Sequence, residues 1–196
     1  MGKGTSNDPI FTPELLKILR IFGIASVFIV LILSFFDEKR ANNTGEDQTF
    51  KVNDSNRLFF LNLRAIHYDR EARKDAKMLL FRHKDRNQEE NEPGLDLVII
   101  QNSLKDEAYI YLEPKNLDWP LNIKAITPTD STSFNFENGN AQTFLSYVNS
   151  IKLWIDAQAN FSIKSKYGWQ PLWQKKEEQA AIKEILNDYF KLLEDK

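Results

Sequence analysis

The sequence predicts an α+β fold: an N-terminal single transmembrane helix, then an antiparallel β-sheet domain with two amphipathic helices packed on one face. Three observations lead there. Residues 21–36 are apolar except for Gly23, Ser26 and Ser34, and carry no charge. Between residues 57 and 136, short apolar or alternating runs are separated by polar breaks, the pattern of strands joined by tight turns. After residue 140 the apolar period changes to three and four, the period of a helix with one buried face.

Each element has its own justification. Thr12, Pro13 and Glu14 form a helix start, with a capping hydroxyl, a proline at the first helical position and an early carboxylate. Counted from Leu15, the apolar segment reaches 22 residues and is interrupted only by Lys17 and Arg20. That length as a helix is roughly 33 Å, enough for the hydrocarbon of a bilayer. The lipid bilayer is therefore the expected partner of residues 15–36. Bulky Phe35 and Phe36 stand where a signal-peptide cleavage site needs small residues, so an uncleaved signal-anchor is expected. Basic residues on the two sides of the segment balance, and a single anchor before one long domain places that domain outside the cytoplasm. The start Met1-Gly2-Lys3-Gly4-Thr5-Ser6 also fits a myristoylation pattern, one short enough to occur by chance.

The domain boundaries follow: a tail at 1–12, the anchor at 13–40, a polar tether at 41–49 and the folded domain at 50–196. Strands are expected at 57–68, 77–83, 95–101, 107–113, 121–126 and 133–136. Short turns favour antiparallel pairing, because a parallel crossover needs a dozen residues or more. Asn140 is a fitting N-cap for a helix to about Gln158. A short hairpin is expected around residues 166–168, then an amphipathic helix over 176–193. Apolar stripes on the two helices require a partner surface, and the sheet supplies it.

Composition narrows the chemistry. The net charge is −2, the sequence pI is about 5.8 and there is no cysteine. Those values exclude disulfides, thiolate metal sites and cysteine nucleophiles, and argue against nucleic acid as a partner. No P-loop, dinucleotide fingerprint, nucleophile elbow or metalloprotease helix occurs, so no cofactor or metal is expected. Charge is uneven along the chain. Residues 57–86 hold nine basic and four acidic side chains, a net of +5, while 87–161 hold four basic and eleven acidic, a net of −7.

Candidate residues fall into three groups. His67 and His83 head the repeated pattern H-x-D-R with Asp69 and Asp85, which makes them the available acid–base candidates. If they terminate successive strands of one hairpin, they lie a strand length apart. Arg64, Arg70, Arg73, Lys74 and Lys77 are candidates for anionic headgroups or an acidic protein partner, unless they pair with the acidic middle of the same domain. Trp169 and Trp173 share strand parity around Pro171, and Trp119 precedes Pro120. Such aromatics form either a platform for sugar or peptide, or packing against the helices. The expected function is membrane-anchored binding or scaffolding without catalysis. A membrane-bound hydrolase using a His/Asp pair and a cytoplasm-facing adaptor are the alternatives.

Overall fold

The computed structural model describes residues 13–35, 49–89 and 91–193. The tail expected over 1–12, the charged stop at 37–40 and most of the tether lie outside these residues. Two compact units are present, residues 1–41 and 42–196.

The first unit contains α1 (Pro13–Phe35). Its exposed apolar side chains, from Leu15 through Val30, point to all sides of the helix. The expected transmembrane anchor is nevertheless corrected: among the described residues, no helix is long and apolar enough to cross a membrane. Glu14, Lys17 and Arg20 occupy the first turns, and the uncharged remainder of α1 runs from residue 21 to residue 35. At 1.5 Å per residue that is about 22 Å, against about 30 Å of hydrocarbon. The expected span reached full length only by counting the two basic residues. Single-pass insertion, the signal-anchor and the side of the membrane inferred from them go with it.

The second unit is α+β, with two antiparallel sheets in place of the single sheet expected. The first sheet has the order β1-β2-β3-β4, from β1 (Tyr68–Arg73), β2 (Met78–His83), β3 (Gly94–Asn102) and β4 (Glu107–Lys115). The second has the order β6-β5-β7-β8, from β5 (Leu121–Ile126), β6 (Ser131–Phe136), β7 (Asn160–Ser165) and β8 (Gly168–Leu172). Helix α3 (Ala141–Asp156) connects β6 to β7, and α4 (Lys176–Leu193) follows β8. Asn140 caps α3, its side-chain oxygen accepting from the Thr143 N–H at 3.0 Å. Helix α3 contacts β4, and α4 contacts both β3 and β4.

One expected strand is helical. Asn53 caps α2 (Asp54–Phe59) by accepting the Asn56 N–H, and a π-turn (Phe60–Arg64) and a 3₁₀ turn (Ala65–His67) continue it. The apolar residues of 57–67 look strand-like in sequence. Phe60 instead packs edge-on against Phe81, with ring centroids 5.0 Å apart, and joins the buried cluster with Tyr68. The first strand therefore begins only at Tyr68.

Strand β3 is buried on both faces, as expected of a central strand. Leu95, Leu97 and Ile99 join the main core. On the opposite parity, Val98 is fully buried beneath polar neighbours. Arg82 pairs with Val98 in register; its guanidinium meets Glu113 at 2.6 and 2.7 Å and Glu71 at 2.7 Å. The aliphatic stem and the bidentate pair cover the valine.

Candidate functional site

A cavity lies where the start of β3, the end of β8 and the first turn of α4 meet. Its volume is about 390 Å³, within the range of small-ligand sites. Three side chains give it chemical character. Asp96, the lone charge in the apolar run 95–100, is almost fully buried. Among the described residues its carboxylate receives no hydrogen bond, and its nearest cation is Arg86 Nε at 3.7 Å. Burial pushes its pKa up to about 6, against the opposing pull of Lys115 and Arg86.

Glu178 is also buried and forms the second polar wall. It reaches back toward the N–H of Lys175 at 3.4 Å, half of a capping box, and lies 3.8 Å from that lysine's Nζ. Trp173 supplies the apolar wall. It follows β8 at φ 53°, which turns its ring inward. Its Nε1 donates to the Leu95 carbonyl at 2.8 Å, and its ring packs on Phe161.

A second polar cluster forms where the first hairpin meets α4. Glu184 and Asp188 are one helical turn apart and face Arg64, His67, Tyr68 and His83. Arg64 Nε donates to Asp188 at 2.8 Å, and its Nη2 lies 2.5 Å from Glu184. Tyr68 donates its hydroxyl to Asp188 at 2.8 Å. Burial first, then the Asp188 charge, hold that phenol protonated far above its ordinary range. The Asp188 hydrogen bond raises Arg64 in turn, against the opposing cost of burial.

His83 Nδ1 accepts the Asp85 N–H at 3.1 Å. In the neutral ring the proton therefore sits on Nε2, a buried atom that makes no hydrogen bond and stands 3.5 Å from Glu184 Oε1. His67 Nδ1 is 3.9 Å from the same oxygen. The two imidazoles lie nearly parallel, with centroids 6.4 Å apart. The expected separation by a strand length is thus corrected: Tyr68 pairs with His83 in register, which brings both histidines to the same end of the hairpin. Their sequence neighbours do not join them as a pair. Asp69 is bound to Arg86 at 2.6 Å, and Asp85 is exposed with its carboxylate 4.0 Å from His83. Among the described residues no group of three histidine or acidic side chains could hold a metal ion.

No family model, curated protein or solved structure matches the chain.

The remaining candidates separate. Arg64 is engaged by α4, as described. Arg73 lies near Glu71 and Asp75, at 3.6 and 3.7 Å. Arg70 and Lys74 are exposed, and Lys77 occupies a turn at φ 52°. Much of the basic hairpin thus meets acids of its own unit. The three tryptophans do not form one platform. Trp119 packs on Phe144, Trp173 turns into the cavity wall, and Trp169 is exposed on the outer face of the second sheet. Strand parity fails for Trp173 because β8 ends one residue earlier.

Asp96, Glu178, Glu184 and Asp188 are absent from the residues expected at a site. A charge inside an otherwise apolar strand marked Asp96. The four-residue spacing of Glu184 and Asp188 beside an apolar stripe marked a partly buried pair, which reads in sequence as a solvated face.

Proposed function

We propose that the folded unit is a binding protein without catalytic function, whose ligand is a small organic cation held in the cavity between β3, β8 and α4. The observation that carries this reading is the chemistry of the lining, in which the nearly buried Asp96 takes part beside an apolar wall. An ammonium or guanidinium entering the cavity is drawn by the negative charge of that lining. Glu178 and Glu92 add negative charge to the same lining, and Trp173 and Leu172 add apolar surface. The His/Asp hydrolase receives less support, since each histidine faces Glu184 across more than a hydrogen-bond length and neither is held by its own aspartate.

Thermal-shift titration of the chain with putrescine, choline and arginine tests the proposal, with 1,4-butanediol as the neutral control. At least one cation is expected to raise the melting temperature at pH 7.5, and Asp96→Asn is expected to abolish that rise. Absence of any shift, or an equal shift in the asparagine variant, would overturn it.

A further inference from the structure

We propose that the outer face of the second sheet is a binding surface for an acidic polysaccharide, centred on Trp169 and meeting the cavity only at Pro171. Register places Lys124 of β5, Ser162 of β7 and Pro171 of β8 in one row across the sheet. Lys164 of β7 stands directly opposite Trp169 of β8. Pleat alternation sends all of these to the side away from Ile123, Ile163 and Leu172, which are buried in the core. No residue of that outer face is buried, so none of the unit's described residues covers it.

Its chemistry has three components. The first is a ring: Trp169 is 41% exposed, with Lys124 Nζ 4.2 Å from the ring centroid. At the adjoining turn Tyr167 is 77% exposed, and Lys166 Nζ is 5.0 Å from its ring. The second is positive charge. Among the described residues, Lys124, Lys164 and Lys166 pair with no carboxylate. The third is a field of neutral donors and acceptors, Asn122 opposite Asn135 and Ser133 opposite Lys124.

That combination selects among anionic polymers. Sugar C–H faces stack on exposed indole and phenol rings, while amides and hydroxyls bond sugar hydroxyls. Sparse lysines suit a polymer with one carboxylate per residue or fewer. Adjacent strands are about 4.8 Å apart, close to the length of one pyranose unit, so side chains on neighbouring strands can meet successive sugars. A nucleic-acid strand carries one charge per roughly 3.4 Å and is held by a denser basic groove. This face is too rich in neutral groups for that.

The test is calorimetric titration of the full chain in a mild detergent with a galacturonate hexamer, a neutral cellulose hexamer and an oligothymidylate of equal length. The galacturonate hexamer is expected to bind, and to weaken as salt rises. Trp169→Ala is expected to weaken it about tenfold, and Lys124→Gln with Lys164→Gln by a similar factor. Trp169→Phe, which keeps a ring, is expected to stay within about threefold of the wild type. These side chains are at the surface, and unchanged circular dichroism establishes that the variants fold. The proposal is overturned if the galacturonate does not bind, if Trp169→Ala leaves its affinity unchanged, or if the neutral or thymidylate oligomer binds more tightly. Asp96→Asn is expected to leave this affinity intact, which separates the outcome from the cavity reading.

Discussion

Replacing Asp96 by asparagine is expected to stabilise the folded unit at neutral pH and to do nothing of the kind in acid. Burial raises the Asp96 pKa from its ordinary value of 3.8 to about 6. The folded state therefore holds this proton more tightly than the unfolded chain does. Below about pH 4 the carboxyl is protonated in both states and carries no penalty. As pH rises through 4 to 6 the unfolded chain releases the proton first, so stability falls across that window. Two pKa units correspond to about 3 kcal/mol. Asparagine keeps the shape and removes the charge, so Asp96→Asn is expected to gain up to about 3 kcal/mol at pH 7.5. In urea, with a slope of about 2 kcal/mol/M, the midpoint rises by up to about 1.5 M. The quantity to measure is the midpoint difference between variant and wild type at pH 4 and at pH 7.5, which cancels the other carboxylates. A difference that does not grow with pH would refute the account of Asp96 as an anion whose desolvation outweighs the pull of Lys115 and Arg86.

Three further outcomes follow from the same geometry. Asp188→Ala strips a buried acceptor from Arg64 and Tyr68 and is expected to cost about 3 kcal/mol. Tyr68→Phe alone is expected to cost about 1 kcal/mol, and a denaturation cycle of the two should show strong coupling; simple additivity would mean that the Tyr68–Asp188 bond contributes nothing. Trp173→Phe loses the bond to the Leu95 carbonyl and leaves that oxygen unpaired, at about 1–2 kcal/mol by urea titration. Gly168 has φ 102° with open space around it, so Gly168→Ala is expected to cost about 1 kcal/mol through backbone strain alone, whereas an unchanged midpoint would place that turn in a different conformation.

Much of the second unit was legible from hydrophobic period. The helix over 176–193 and the cap at Asn140 were readable because an apolar stripe and a capping amide are local signals. Strands β2 to β5 were readable because each is short and bounded by turn residues. What failed depended on distant partners. Residues 57–67 carry a pattern compatible with either state, and the aromatic contacts of Phe60 with Phe81 and Tyr68 decide for helix. The division into two sheets is set by which strands find each other across α3, a relation with no local mark. At the candidate sites, the histidine pairing depended on where β1 begins, and a shift of the strand start to Tyr68 moved His67 beside His83. Trp173 was misplaced because parity was carried one residue past the end of its strand. In α1 the reverse held: apolar content was plain in sequence, but the charges in its first turns shorten the uninterrupted run.

The indole of Trp173 also bears on how the molecule comes apart. It stands at the end of the second sheet, and its one polar atom is bonded to the backbone of the strand at the centre of the first. Neither sheet can lose its order there without exposing that ring and orphaning that carbonyl. Amide hydrogens of β3 and β7 should therefore exchange through one shared opening event rather than two separate ones.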